Sequence, residues 1–216
     1  MNSKEVIPST SDNRPSAAAF DTIIRIRVGQ DAPQIFEVHK GVLKFYSGYF
    51  RAAIDNVESG RFKEAEDNMI TLPEEKAEVF KLFQGWLYTR ELPKDKSTDL
   101  VKLWGLADRR IVPLLQNEAI DAIQVHNYKN WKEACPTTVY RNTGADSALR
   151  RFTVCSYAAN VSILKDTQIV GWPEEFKTDL IQHLLTVRPK MDPDEFKRRD
   201  MCEWHVHEEG VRCKKE

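Results

Sequence analysis

The sequence predicts an α+β fold, in which a small sheet with flanking helices is followed by an all-helical C-terminal region. Two observations carry this prediction. In the first part of the chain, apolar and polar residues alternate over short stretches, which is the two-residue period of half-buried strands. Further along, apolar residues recur at intervals of three and four, which indicates helices that bury one face.

The composition is that of a folded, near-neutral protein. Of the 216 residues, 41% are hydrophobic, and 32 basic side chains are balanced by 33 acidic ones. This length accommodates a domain of ordinary size and an extension. Because the charges balance, the composition gives no reason to expect nucleic acid or an anionic membrane as a partner.

The N-terminus has charges and prolines but lacks the apolar core of a signal peptide, and no run of about 18 apolar residues suggests a membrane span. We therefore expect a cytoplasmic or nuclear protein with no membrane partner. In a reducing compartment the four cysteines are expected to be thiols or metal ligands. Residues 1–19, rich in Ser, Pro, Asn and Asp, are predicted to be a disordered leader.

The first folded elements, starting near Asp21, are predicted to be a β-hairpin. Apolar residues alternate with arginines over 24–28, and the turn-forming segment 29–33 leads to a second strand at 34–38. The sheet of the domain is therefore expected to begin with two antiparallel strands.

The pattern then changes to that of helices. Residues 42–46 have helical spacing, and Ser47 is placed to cap the helix that follows. A polar loop at 56–68 precedes a third short strand at 69–72. A helix is predicted to open with the Pro-Glu-Glu segment 73–75, because proline and acidic residues favour the first turn of a helix.

Three helices with broad apolar faces are predicted at 79–87, 100–107 and 111–123. The apolar stripe of the first is too wide for a helix that lies on the surface, so this helix should be central. The predicted core consists of Ile24, Ile26, Val28, Val38, Leu43, Phe50, Leu72, Phe80, Phe83, Leu87, Leu103 and Ala107.

The rest of the chain is predicted to be helical, with a polar segment at 127–144 and apolar helix faces at 148–159 and 176–187. The predicted organisation is a leader (1–19), a domain (20–125), a helical extension (126–190) and a charged tail with cysteines and histidines (191–216).

In this order and spacing, the residues of the domain resemble the BTB/POZ family. The matching motifs are Asp21 before the first strand, Phe36-x-Val38-His39-Lys40-x-x-Leu43, Ser47-x-Tyr49-Phe50, Ile70-x-Leu72-Pro73, Trp86-Leu87-Tyr88-Thr89 and Leu103-x-x-Leu106-Ala107-Asp108-x-x-x-Val112. The resemblance implies the BTB/POZ fold and a non-enzymatic protein–protein interaction module that self-associates or serves as an adaptor. It also implies structural roles for Asp21 and His39.

Two further features bear on the resemblance. The stretch 139–151 is similar to the C-terminal part of the short BTB proteins of filamentous fungi. Arg90 stands where the family usually has glycine after Tyr-Thr. The turn at Arg90 must therefore either avoid the left-handed conformation or adopt it with a strained backbone.

Catalytic motifs are missing from the sequence. It contains no phosphate-binding glycine loop, no HExxH and no GxSxG. No cysteine or serine nucleophile with an orienting acid is spaced around His39. We therefore expect no catalytic residues and no enzymatic activity.

The triplet Phe62-x-Glu64 is the candidate partner-binding motif. In BTB adaptors that recruit the type-three cullin of ubiquitin ligases, a hydrophobic-x-acid motif in the matching loop contacts the cullin. An exposed aromatic anchor beside an orienting carboxylate is suited to such a contact. The alternative is that Phe62 packs into its own domain and Glu64 is solvated.

The tail concentrates Cys202, His205, His207 and Cys213 within twelve residues. Two thiolates and two imidazoles suit tetrahedral zinc, and four protein ligands leave no open position for a catalytic water, so a structural zinc site is expected. The alternative is a packed tail with accidental clustering, because the spacing C-x2-H-x-H-x5-C is not that of a standard zinc finger.

A second functional class is a nuclear transcription or chromatin regulator in which BTB dimerisation is coupled to a zinc-bearing tail. The basic residues at 197–199 and 214–215 are interleaved with acidic ones, so the local field nearly cancels. Nucleic acid is therefore not an expected partner.

Overall fold

The computed structural model describes residues 14–59, 68–94, 96–130, 135–159, 169–187 and 193–207. Its strands are β1 (Ile23–Val28), β2 (Gln34–His39) and β3 (Met69–Leu72). Its helices are α1 (Lys40–Tyr46), α2 (Gly48–Glu58), α3 (Ala77–Thr89), α4 (Ser97–Arg109), α5 (Pro113–Asn130), α6 (Pro136–Asn142), α7 (Ala148–Ala159), α8 (Glu174–Thr186) and α9 (Pro193–Lys197). Single 3-10 turns lie at Ala17–Phe20 and Met201–Glu203.

The three strands form one sheet in the order β2-β1-β3. β1 runs antiparallel to β2 and parallel to β3, so Ile26 is paired with Phe36 on one side and with Ile70 on the other. Alternate residues of β1 are fully buried and the arginines between them are exposed. The predicted hairpin and third strand are confirmed.

The sheet and helices α1 to α4 enclose a first hydrophobic core, and every residue of the predicted core is buried in it. Ser47 begins α2 as predicted, because its Oγ accepts a hydrogen bond of 3.0 Å from the Phe50 N–H. The same hydroxyl donates to the Arg110 carbonyl oxygen at 2.5 Å. Ser47 therefore joins α2 to the turn after α4.

Helix α4 is shared between two cores. Leu103 and Leu106 face the first core, whereas Leu100 and Trp104 belong to a second core built with α5, α7 and α8. At Gly105 an added Cβ would lie 2.4 Å from the carbonyl oxygen of Asn142, so the end of α6 approaches α4 as closely as only glycine allows. The helical extension is therefore packed directly on the domain.

The Pro-Glu-Glu segment 73–75 does not open a helix, which corrects the prediction. It forms a turn, and α3 begins at Ala77. Glu75 instead binds the guanidinium groups of Arg109 and Arg110, and Glu74 also pairs with Arg110. The acidic residues stabilise a contact between distant parts of the chain, which local sequence preference does not reveal.

The predicted helix at 111–123 starts later than expected. Ile111 has a φ of 52° and is 55% exposed, and α5 begins at Pro113. The reason is that helical backbone angles are disfavoured for the residue that precedes a proline, whereas proline itself suits the first position of a helix.

Several smaller differences concern element ends. Helix α2 continues to Glu58, inside the predicted loop 56–68, and Glu58 there pairs with Lys40 and Lys44. Ordered structure begins before Asp21, since the 3-10 turn at Ala17–Phe20 packs on α1 within the predicted leader.

In the extension, a short helix was missed and another is shorter than predicted. Helix α6 lies inside the segment 127–144 and buries Val139. In α8, Phe176 and Leu180 are buried as predicted, but Leu184 is 37% exposed and the helix ends before Val187.

Arg90 adopts the left-handed conformation, with a φ of 61°. Its guanidinium lies 4.2 Å from the centroid of the Trp86 ring and forms an ion pair with Glu118. Arg90 thus takes the position usual for glycine with a strained backbone, and the contacts of its side chain compensate for that strain.

Candidate interaction surfaces

Partly exposed apolar side chains meet on one face of the domain, and we call Phe20, Ile23, His39 and Tyr88 the aromatic patch. Phe20, Ile23 and Tyr88 are 43%, 47% and 42% exposed. The ring centroids of Phe20 and His39 are 5.4 Å apart, and those of His39 and Tyr88 are 5.8 Å apart, both edge-to-face. Ile23 lies opposite His39 in the pairing of β1 with β2, so the four side chains form one continuous surface.

Tyr88 connects the end of α3 to the end of β2. Its hydroxyl oxygen accepts a hydrogen bond of 3.1 Å from the backbone N–H of His39 and lies 2.9 Å from His39 Nδ1. Because a tyrosine hydroxyl both accepts and donates, it can make both interactions at once. This geometry supports a structural role for His39, which remains a prediction.

The N-terminal turn completes the patch because α1 has a glycine where the turn crosses it. A Cβ at Gly41 would lie 2.5 Å from the Cα of Ala19, so a larger residue would push the turn and Phe20 away. Asp21 follows the turn and is exposed just before β1. Its predicted structural role remains a prediction.

The candidate cullin motif, Phe62 and Glu64, lies outside the described residues. The chain on both sides of it is fixed. Glu58 pairs with Lys40 at 3.3 Å, and the Asn68 carbonyl oxygen accepts a hydrogen bond of 3.4 Å from the Arg25 N–H.

Ile111 is an exposed residue that sequence reasoning placed on a helix. Its carbonyl oxygen accepts a hydrogen bond of 2.9 Å from the N–H of Gly48, and a Cβ at Gly48 would lie 3.0 Å from Ile111 Cγ2. The sequence signal that could have placed Ile111 in a turn is Pro113, two residues later.

In the extension, Cys155 and His183 are neighbours, with 3.8 Å between Sγ and Nε2. Burial raises the pKa of the Cys155 thiol to about 11 and lowers the pKa of His183. At neutral pH the pair is therefore a protonated thiol beside a neutral imidazole, and it lacks the thiolate that nucleophilic catalysis needs.

This pair borders a cleft of about 420 Å³ between α7 and α8. The Arg150 guanidinium at the cleft donates to Glu175 at 2.9 Å and to the carbonyl oxygens of Tyr140 and Thr143 at 3.1 and 2.8 Å. Its donors are thus used within the extension.

The described part of the tail brings together two of the predicted metal ligands. Cys202 Sγ is 3.1 Å from His207 Nε2, whereas His205 Nε2 is 2.7 Å from the Asp121 carboxylate on α5. Cys213 lies outside the described residues. Across the ranges that the structure describes, no three His, Cys, Asp or Glu side chains are grouped closely enough to hold a metal ion.

Basic residues near the tail are paired with acidic ones. Lys197 Nζ lies 2.6 Å from Asp194, and Arg199 lies 3.5 Å from Glu203. These pairs support the expectation that the local field of this segment nearly cancels.

By its architecture this is an α+β domain, a small sheet with packed helices, that carries a partly exposed aromatic patch. None of the helices in the described residues is both long and apolar enough to cross a membrane. The family model for the BTB/POZ domain matches residues 14–127, so the chain belongs to the BTB/POZ family. Comparison with curated proteins finds no match.

Proposed function

We propose that this protein is a non-enzymatic interaction protein that self-associates through the aromatic patch. The observation that carries the proposal is the partial exposure of Phe20, Ile23 and Tyr88 on one continuous surface. Contiguous apolar surface of this kind marks interaction sites, and aromatic residues are enriched in interfaces.

A symmetric dimer uses the same surface on both copies. The aromatic patch is suited to such a contact because its rings already meet edge-to-face and are fixed by Tyr88 and the N-terminal turn. A preordered surface loses little conformational freedom on association.

The test is the molecular mass in solution, measured by sedimentation equilibrium of the full chain and of the double variant Phe20→Asp/Ile23→Asp. In a symmetric interface the new carboxylates meet their own copies and repel. The matched control is Ile181→Asp/Leu185→Asp on α8, where the two side chains are 58% and 64% exposed.

We expect a dimer for the wild type and the control, and a monomer with unchanged circular dichroism for the patch variant. A wild-type chain that stays monomeric at high micromolar concentration, or a patch variant that still dimerises, would contradict the proposal.

The motif Phe62-x-Glu64 supports a finer role, that of a substrate adaptor for the type-three cullin. Its support is the sequence pattern and its place between α2 and β3. The test is a titration with the N-terminal region of the cullin, comparing Phe62→Ala/Glu64→Ala with the control Phe45→Ala, an aromatic on α1 that is 42% exposed. We expect the wild type and the control to bind saturably and the double variant not to bind. A folded wild type that fails to bind would reject the adaptor role and leave self-association standing.

A further inference from the structure

The aromatic patch continues onto the side of the sheet that is turned away from the core. Successive side chains of a strand point to opposite faces, so alternate residues of β1 and β2 share this side. We call these residues the outer sheet face: Ile23, Arg25 and Arg27 of β1, and Ile35, Glu37 and His39 of β2. Ile23 and His39 also belong to the aromatic patch, and Ile35 is 59% exposed at the other end. The patch and the outer sheet face are therefore one surface.

The antiparallel pairing of β1 with β2 arranges the outer sheet face in three rows. Reading away from the patch, the rows are Ile23 beside His39, Arg25 beside Glu37, and Arg27 beside Ile35. An apolar side chain is thus present at each end, and a cation lies next to an anion in the middle row. Cross-strand neighbours have Cβ atoms roughly 5 Å apart, so both charges are presented together to a partner that covers the face.

The charges restrict how a second copy of the chain can cover this face. Two sheets that pack face to face keep their strands roughly aligned, about 10 Å apart. With a two-fold axis along β1, Arg25 would meet Arg25 of the second copy, and the like charges would repel. With the axis parallel to the strands and between β1 and β2, every outward residue lies over its row neighbour in the second copy. Arg25 then meets Glu37, so the charges favour this arrangement.

In this arrangement the outer sheet face is complementary to itself along its whole length. Arg27 lies over Ile35 of the second copy, where the methylene stem of the arginine covers apolar surface. At the other end, the two Ile23 side chains lie next to each other across the axis. The aromatic patch is therefore part of the same contact.

We propose that self-association extends from the aromatic patch over the outer sheet face, with Arg25 and Glu37 paired between two copies and Ile35 as the apolar anchor at the far end. This inference rests on the proposed function and specifies the orientation of the second copy. A second copy suits this face better than an unrelated partner, because both members of the complementary charge pair lie on the same surface in one row.

The test is sedimentation equilibrium of the full chain with charge reversals. Arg25→Glu places an acid against Glu37 of the second copy, and Glu37→Arg places a base against Arg25. Each variant alone is expected to dimerise about 10- to 100-fold more weakly than the wild type. The matched control is Glu174→Arg on α8, where the side chain is 87% exposed, and it should dimerise like the wild type.

Mixing the two variants separates a contact between copies from one within a chain. In an equimolar mixture of Arg25→Glu and Glu37→Arg, opposite charges meet again between unlike copies, so most of the affinity should return. Mixing cannot restore a charge pair that acts within one chain, because each chain keeps two like charges side by side. Circular dichroism of each variant checks that it is folded.

The apolar end of the outer sheet face has its own test. Ile35→Ala should weaken dimerisation about tenfold, because the side chain is buried only in the dimer. Ile181→Ala on α8 is the matched control, since Ile35 and Ile181 are 59% and 58% exposed in the single chain. It should leave dimerisation unchanged.

The outcomes separate this inference from the proposed function. If the charge variants and Ile35→Ala dimerise like the wild type, or if the mixture stays as weak as its components, the contact over the outer sheet face is overturned and self-association through the patch still stands. A wild type that remains monomeric overturns self-association itself, and this inference with it.

Discussion

Glu75 and Arg110 form a buried ion pair that joins the turn after β3 to the turn after α4. The Glu75 Oε1 atom is 2.9 Å from Arg110 Nη2, and the two side chains are 1% and 5% exposed. Arg109 adds a hydrogen bond of 2.8 Å from its Nη2 to the other oxygen of Glu75. One carboxylate thus binds two consecutive arginines.

Glu75→Gln is expected to lower the free energy of unfolding by about 3 kcal/mol, because it leaves the buried Arg110 charge without its main partner. Urea unfolding at neutral pH measures the change. The matched control is Glu74→Gln, which alters another partner of Arg110 whose side chain is 53% exposed. Its cost should stay below about 1 kcal/mol. If both variants lost the same free energy of unfolding, the burial of Glu75 would not be what makes its ion pair stabilising.

Arg90 offers a direct measure of backbone strain. Arg90→Ala and Arg90→Gly both remove the contacts with Trp86 and Glu118, but only glycine adopts a φ of 61° without steric cost. We expect the glycine variant to be more stable than the alanine variant by about 1 kcal/mol. The comparison is made by thermal and urea unfolding, and a more stable alanine variant would argue against the left-handed conformation.

Two glycines in neighbouring helices should respond in opposite ways to the same substitution. Gly105→Ala places a Cβ 2.4 Å from the Asn142 carbonyl oxygen and is expected to cost about 2 kcal/mol. Gly85→Ala in α3 meets no atom within 4 Å and should stabilise by roughly 0.5 kcal/mol. The unfolding midpoints of both variants test the close approach of α6 to α4. A Gly105→Ala variant as stable as the wild type would refute that approach.

The thiols should differ sharply in reactivity. Cys135 is exposed, whereas Cys155 is buried and its pKa is raised to about 11 by that burial. Iodoacetamide at pH 8 is therefore expected to modify Cys135 and spare Cys155, as read by peptide mass spectrometry. The fully denatured chain, in which both must react, is the control, and rapid labelling of native Cys155 would exclude its burial.

The same pKa has a consequence for stability. Because the folded value lies above the unfolded one, the contribution of Cys155 is fully present below the unfolded pKa of roughly 8.5 and is lost as pH rises through about 11. Cys155→Ala should flatten the fall in stability over that alkaline range, and unfolding at a series of pH values measures it.

Much of the fold was predictable because burial imposes a period on the sequence. Alternation at Ile24, Ile26 and Val28 reveals β1, and the same residues are fully buried in the structure. Ser47 could be assigned as a cap from its type and position, and its hydrogen bond to Phe50 confirms that.

What local patterns could not predict are contacts between distant residues. The segment containing Glu75 has the composition of a helix start, but pairing with arginines 34 and 35 positions later determines its structure. Similarly, neither residue type nor spacing indicated that His205 faces Asp121, 84 positions earlier. The aromatic patch was missed for the same reason, because Phe20 and Tyr88 meet only in the folded chain.

The position of α4 between two cores bears on how this protein is divided for experiments. If the chain is cut after residue 127, where the family match ends, Leu100, Val101 and Trp104 lose the layer that covers them. The shortened domain would expose an apolar face and would aggregate or bind chaperones, even with its own sheet intact. Binding studies on an isolated fragment would then report this artificial surface, so the whole chain is the proper unit in which to look for partners.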